Sequence, residues 1–264
     1  MNLRLVTPTL GRSPWAAEGF AASAALDGAE RIVVCPGAQR EAVAAASAGA
    51  RVVAEARPGL YAAVNQGLRQ PGAWDAGTCV NDDDLVVAAG LGQALAALGR
   101  DPGLDAVYGR VAMIDAAGRL LAEIPVARRG GDLGALLAAG IVPLAQPGTV
   151  FRRAAFEALG GFDERLAAAG DLDFIARALA AGRRVGFVDA RVAAFRVHGG
   201  QISAQRELVR RETAGIFAAA RGRAAWRRAA RAAALRFRLA NLGAYLDRIR
   251  RHGPVSMEAL YGRG

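Results

Sequence analysis

A mixed α/β fold, with a mainly parallel sheet flanked by helices and a helical extension at the C-terminus, is predicted by three features of this 264-residue chain. Short β-rich runs alternate with helix-length stretches through the first half, the pattern of βαβ units. A hairpin signature follows, so antiparallel strands must join the sheet. Beyond residue 203 only helical periodicity remains.

Residues 3–7 read as a strand, 14–26 as a helix, 31–35 as a strand, 39–48 as a helix and 51–54 as a strand. A helix over 61–69, a strand over 78–80 and a helix over 86–98 continue the alternation. Strands over 106–114 and 119–124 flank Asp115-Ala116-Ala117-Gly118, whose residues suit a tight turn. A helix over 133–139, a strand over 149–151 and a short helix ending at Gly160-Gly161 come next. Asp171 opens a helix that runs to Ala181, and two short strands are expected over 185–188 and 193–197. The break near Ser203 divides a domain over 1–203 from a basic, mainly helical extension over 204–264. In the extension, Leu235, Leu239, Leu242, Leu246 and Ile249 recur at spacings of four and three, on one helical face.

A chain of this length can bury a full core. Its basic residues are all Arg, alongside abundant Ala and Gly, which reads as compositional bias more than as a recognition signal. Residues 205–264 hold 14 Arg against Glu207, Glu212, Asp247 and Glu258, which accounts for the entire formal net charge of +10. A basic appendage on a neutral domain points to an anionic partner surface, either membrane headgroups or nucleic acid. Cys35 and Cys79 lack metal-ligand or disulfide-framework spacing and are expected to be buried, reduced thiols. The N-terminus shows no signal-peptide pattern, and no stretch reaches the roughly 18–20 apolar residues of a spanning helix. The expected setting is the cytoplasm, with membrane contact at most peripheral.

In parallel sheets, ligands bind beyond the carboxyl ends of the strands. Thr7-Pro8-Thr9, Cys35-Pro36-Gly37 and Asn81-Asp82-Asp83-Asp84 all fall at such ends, which predicts one shared crevice. Three successive carboxylates repel one another unless a cation or solvent neutralises them, and hard oxygen ligands of this kind suit Mg²⁺ or Mn²⁺. The alternative is a solvated loop in which Asp84 caps a helix beginning near Leu85.

The segment Val6-Thr7-Pro8-Thr9-Leu10-Gly11-Arg12 follows the first strand, and Pro58-Gly59-Leu60-Tyr61-Ala62-Ala63-Val64-Asn65-Gln66-Gly67 precedes the acid run. After it come Gly160-Gly161-Phe162-Asp163-Glu164, Gly170-Asp171-Leu172-Asp173-Phe174 and Phe195-Arg196-Val197-His198-Gly199-Gly200-Gln201-Ile202-Ser203. In order and spacing, these segments resemble the family 2 glycosyltransferases over about residues 1–203. The resemblance implies the GT-A fold, a Rossmann-like sheet, and an inverting, Mn²⁺- or Mg²⁺-dependent transfer of a sugar from a nucleotide-sugar donor to a hydroxyl of a saccharide or lipid-linked acceptor. Cell-surface polysaccharide or glycolipid assembly at the inner face of the plasma membrane is the setting it suggests.

By the same resemblance, Asp83 takes the metal position of an Asp-x-Asp motif and Asp82 lies near the donor ribose. Asp84 is a further ligand or a helix cap, and a register using Asp82 and Asp84 stays open. His198 completes the metal shell or contacts the diphosphate, unless it is only a strand-end residue bonded to backbone. Asp171 is the expected catalytic base, since an attacking hydroxyl must lose its proton to a group within hydrogen-bond reach; as a bare sequence feature it could equally cap its helix. Thr7, Pro8 and Thr9 would meet the nucleobase and ribose. Arg12, Arg57 and Asn65 are donor-binding candidates that also read as surface charge and helix packing. Gln146 matches an acceptor-side position.

Four departures from the family pattern stand out. No acidic side chain follows the second strand, Ala62 stands in place of the Asp of a common Tyr-Asp-Ala, Gly170 replaces the first member of the usual Glu-Asp pair, and Gln66 stands where a Lys is common. Donor identity is therefore not transferable. The basic helices have three readings: a face lying on an anionic membrane, packing on the catalytic domain or on a second subunit in a homo-oligomer, and nucleic-acid binding, which the scarcity of aromatics disfavours. A nucleotidyltransferase and a non-catalytic carbohydrate-binding relative are the rival functions.

Overall fold

The computed structural model describes residues 1–260. Nine strands form one sheet: β1 (Leu3–Pro8), β2 (Glu30–Cys35), β3 (Arg51–Ala54), β4 (Ala76–Cys79), β5 (Leu85–Val86), β6 (Ala106–Ile114), β7 (Leu120–Glu123), β8 (Val150–Arg152) and β9 (Val185–Arg196). Their order is β3-β2-β1-β4-β8-β6-β9-β5, with β7 paired to β6. The β3-β2-β1-β4 half is parallel, as the intervening helices require. β8 enters antiparallel to both β4 and β6, while β6 and β9 run parallel to each other.

The helices are α1 (Ala16–Ala24), α2 (Arg40–Ala46), α3 (Leu60–Leu68), α4 (Ala88–Arg100), α5 (Leu133–Ala138), α6 (Arg153–Ala158), α7 (Gly170–Ala180), α8 (Arg206–Gly222), α9 (Ala224–Ala240), α10 (Leu242–His252) and α11 (Met257–Leu260). Alternation along β1 supplies both faces of the sheet. Leu3 and Leu5 join Leu91, Ala94 and Leu98 of α4 in one core layer, whereas Val6 joins Val64 and Leu68 of α3 in the other. The expected mixed, mainly parallel sheet between helical layers is what the chain forms.

Two expectations are corrected. The two short strands over 185–188 and 193–197 are one strand, β9, whose register against β6 slips on either side of Arg110. Polar Asp189 sits in that bulge and pairs with Arg110 and Arg128 at 3.0 and 2.8 Å. Asp84 does not cap a helix: Leu85 and Val86 form β5 against β9, and α4 begins only at Ala88 after an N-cap residue, Val87, with no side-chain cap.

The C-terminal helices are packed on the rest of the chain by one face. Trp226, Ala230, Ala233, Phe237 and Asn241 recur at spacings of three and four, and Ala233 and Phe237 enter the larger core layer. Gly134 of α5 makes room for this: a Cβ there would lie 2.4 Å from the Trp226 ring. Buried Asn241 finishes the contact, receiving the Val126 N–H at 3.1 Å and donating to Val126 O at 2.9 Å. The leucine stripe of α9 and α10 lies on the opposite side and stays exposed.

Candidate active site

Parallel pairing of β1 with β2 and β4 brings the loops after these strands to one end of the sheet. Thr9 leaves β1 with its N–H on Val34 O, and its hydroxyl donates to Asp82 Oδ2. The same Oγ1 receives the Gly11 N–H at 2.8 Å, so the segment after β1 and the acid run are tied at a single atom. Thr7 and Pro8 are buried in the strand end, whereas Arg12 is exposed beyond the turn.

The acid run is a tight turn after β4 whose three carboxyls face different surroundings. Burial pushes the Asp82 carboxyl up to about 6, with Thr9 pulling it down and Asp83 pushing it further up. Asp84 is fully buried and raised well above the ordinary carboxylate range, first by burial and then by Asp83. Its Oδ1 accepts the Arg196 N–H at 2.9 Å, and among the described residues its buried Oδ2 has no hydrogen-bond partner. Asp83 Oδ2 meets His198 Nε2 at 2.9 Å, both side chains being less than one-fifth exposed. Because His198 Nδ1 accepts the Gly200 N–H at 3.2 Å, Nε2 carries the imidazole proton in this arrangement.

A buried cation underlies this loop. The Arg196 guanidinium, its side chain 1% exposed, donates to Asp83 O at 3.0 Å, to Ala116 O at 3.1 Å and to Glu18 Oε2 at 2.6 Å. Trp15 lies against both Arg196 and His198, its ring centroid 4.5 Å from the imidazole, and donates from Nε1 to Ala116 O at 2.8 Å. Trp15, Glu18 and Arg196 thus fix the turn, and none of them was selected from sequence. Only Arg196 had a signal, its place next but one to His198.

Asp171 stands in the first turn of α7, and Tyr61 of α3 donates its hydroxyl to Asp171 Oδ1 at 3.0 Å. Burial raises the Asp171 carboxyl, while the Leu172 N–H and the Tyr61 hydroxyl draw it part of the way back. A small cavity of about 20 Å³ between Asp171, Cys79, Gln146, Phe162 and Phe174 makes its surroundings largely apolar. Gly170 has a reason here: a Cβ would come within 2.6 Å of the Tyr61 ring, so the hydroxyl reaches Asp171 only because this position lacks a side chain. Asp173 is occupied elsewhere, bonded to Arg177 at 2.6 Å. Gln146 donates to Cys79 O at 2.6 Å, which places it between the end of β4 and Asp171. β4 therefore delivers both acidic centres, Asp171 beside its last residue Cys79 and the acid run immediately after it.

Other predicted residues fall elsewhere. The Asn65 amide is committed internally, donating to Phe162 O at 2.8 Å and Glu164 Oε1 at 2.7 Å and accepting the Phe162 N–H at 2.9 Å. Arg57 is exposed and paired with Glu164. Two further residues have no counterpart in the sequence reading. Glu55, just after β3, donates its N–H to Cys35 O at 2.7 Å, so a carboxylate does stand beside the end of β2, supplied by the neighbouring strand. Glu212 of α8 accepts the backbone N–H groups of Ala167, Ala168 and Ala169, each at 2.9 Å, which anchors the approach to Asp171.

The acid run fits a hard divalent cation. Burial first, and then the neighbouring Asp83 charge, disfavours ionised Asp82 and Asp84 in the protein alone, and the buried Asp84 Oδ2 has no hydrogen-bond partner among the described residues, so a cation here would be favoured. Asp83 offers carboxylate oxygen, and His198 would offer Nε2 once a cation displaces the proton it shares with Asp83, a donor set acceptable to Mn²⁺ and, through the oxygens, to Mg²⁺. Among the described residues no three His, Cys, Asp or Glu side chains form a protein-only shell. The remaining positions would fall to phosphate oxygens and water, the usual arrangement where a cation is bound with a phosphorylated ligand.

Topology and the site's location at the strand ends define a fold of the nucleotide-sugar transferase type, GT-A. No family model matches the chain, and no curated protein matches it in sequence. Among solved structures it is similar over 100% of its length, and 79% of the other chain, to the mannosyltransferase PcManGT from Pyrobaculum calidifontis in complex with GDP-Man and Mn²⁺, at TM-score 0.65 and 20% identity. It is also similar to residues 1–349 of S. aureus TarS, covering 98% of this chain and 77% of that one at TM-score 0.57 and 17% identity. A longer TarS structure matches 75% of this chain at TM-score 0.57 and 17% identity, and the match spans 37% of TarS. At these identities the likeness establishes the fold.

Proposed function

We propose that this protein is a family 2 glycosyltransferase that transfers a sugar, with inversion, from a nucleotide-diphosphate donor to a hydroxyl of a saccharide or lipid-linked acceptor. The observation that carries the reading is the pairing at the end of β4: a cation-seeking carboxylate turn on one side and a single buried, Tyr-bonded carboxylate on the other. Asp171 takes the acceptor proton as the hydroxyl oxygen bonds to the anomeric carbon and the bond from that carbon to the diphosphate breaks. Asp83 and His198 would hold Mn²⁺ or Mg²⁺, which stabilises the negative charge of the departing diphosphate. Asp82 and Thr9 orient the donor's ribose, Thr7 and Pro8 meet the nucleobase, and Gln146 faces the acceptor. Arg12 and Arg57 are the further candidates for contact with the donor. The proposed boundary at Ser203 marks where the basic helices begin, although Glu212 and the inner face of α9 pack back on the part before it, and the proposed setting is the cytoplasmic face of the membrane in cell-surface polysaccharide or glycolipid assembly.

A nucleotide-sugar panel read by thermal stabilisation with Mn²⁺ or with chelator tests this. GDP-mannose is the first donor to try, given the ligand of the mannosyltransferase relative. A donor at 100 times its Kd stabilises the native state by about 2.7 kcal/mol, a shift of several degrees. The shift should vanish with chelator and in Asp83→Ala. Stabilisation by no donor, or full transfer by Asp83→Ala without metal, would overturn the proposal.

A further inference from the structure

We infer that the face of α9 and α10 bearing Leu235, Leu239, Leu242, Leu246 and Ile249 docks this protein on an anionic lipid bilayer. These side chains are 58, 64, 52, 49 and 44% exposed, although α9 is seated by its opposite face and α10 follows directly from it. Arg231 and Arg228 continue the stripe toward the start of α9, four and seven residues before Leu235, and Arg238 and Arg250 border it. The ion pairs of α9 and α10 engage other arginines, Arg236 with Asp132 and Arg251 with Asp247. An aliphatic ridge edged with guanidinium groups that form no ion pair among the described residues matches the two layers of a leaflet, acyl chains below and anionic headgroups above.

Charge argues for this occupant over a second copy of the chain. All of the +10 net charge lies in residues 205–264, so self-association through this face would bring two cationic surfaces together. Nucleic acid would engage the arginines but leave the five aliphatic side chains without a role. Among the described residues no helix is long and apolar enough to cross a membrane, so the contact is interfacial. The inference does not depend on the proposed sugar transfer, and its test needs no turnover.

Co-sedimentation of the full chain with vesicles of phosphatidylcholine, with or without phosphatidylglycerol, is the direct experiment. The protein should partition to the phosphatidylglycerol-containing vesicles and be released by salt. A basic residue at an anionic surface contributes about fivefold in partitioning, so Arg228→Gln with Arg231→Gln should weaken binding on the order of 25-fold. Leu239→Ser with Leu246→Ser should abolish binding even at low salt while leaving circular dichroism and Tm unchanged, since both positions are exposed. Failure of the wild type to bind anionic vesicles, or wild-type binding by the double Ser variant, would overturn the inference. So would a wild-type dimer in light scattering that the double Ser variant converts to monomer, because the face would then belong to a second copy.

Discussion

Replacing Tyr61 with Phe removes one hydroxyl and keeps the ring that stacks on Phe162 at 5.7 Å and packs over Gly170. That hydroxyl donates to Asp171 Oδ1 at 3.0 Å and opposes the effect of burial, which raises the carboxyl. A hydrogen bond to a charged group contributes about 1.5–3 kcal/mol. Its loss should raise the Asp171 pKa further, since burial is then less opposed. Only ionised Asp171 can accept the acceptor's proton, so the acid limb of kcat/KM should move to higher pH. The rate on the alkaline side should change little. Initial rates of nucleoside diphosphate release across pH measure the limb, and donor affinity on the plateau serves as the control. A limb that stays in place or moves to lower pH would refute the coupling of Tyr61 to the base.

Asp171→Asn should eliminate transfer, keep donor binding and stabilise the fold. Because the native carboxyl is raised, its favourable contribution is complete below the ordinary carboxylate pKa and is lost as pH rises through the raised value. The variant's Tm advantage should therefore be absent at about pH 4 and appear at neutral pH and above. Glu212→Ala strips three backbone N–H groups of their acceptor. It should cost about 1–3 kcal/mol in denaturant unfolding and lower kcat with the donor KM unchanged, since the loosened segment leads to Asp171. Arg196→Met should cost about 3 kcal/mol, at the low end for a buried pair because Glu18 remains half exposed. It should also weaken Mn²⁺-dependent donor binding measured by calorimetry, since Asp83 O loses its donor.

What the sequence showed of the site follows from which contacts are local. The strand ends were legible because alternating β and helical runs force the parallel arrangement, and that arrangement alone gathers residues 7–9, 35–37 and 81–84 at one end. The network beneath them was not. Glu18 and Arg196 are 178 positions apart, Trp15 and Ala116 are 101 apart, and Tyr61 and Asp171 are 110 apart. No periodicity or spacing reports such pairs. The Asp84 cap failed for a related reason: Asp before an apolar run is a fair helix start, but tertiary pairing of Leu85 and Val86 with Ala194 and Ala193 pulls those residues into the sheet.

The extension shows a sharper limit, because α9 carries two apolar faces half a turn apart. One bears Leu235 and Leu239, the other Trp226, Ala230, Ala233 and Phe237. Periodicity identifies each face without saying which turns inward, and side-chain size favours the leucines. What decides is the receiving surface: Gly134 leaves space for the Trp226 ring, and the backbone of Val126 presents both a donor and an acceptor to Asn241. Both belong to the face containing Phe237. Turning α9 over would drive Trp226 into solvent, bury arginines beside the leucines and leave the Val126 groups unpaired, which costs far more than the burial of two leucines returns. The leucines are therefore left outside by the packing of their own helix. Their exposure is a consequence of how residues 125–138 receive the extension, which is why a surface for a further partner can be read from the structure and not from the stripe alone.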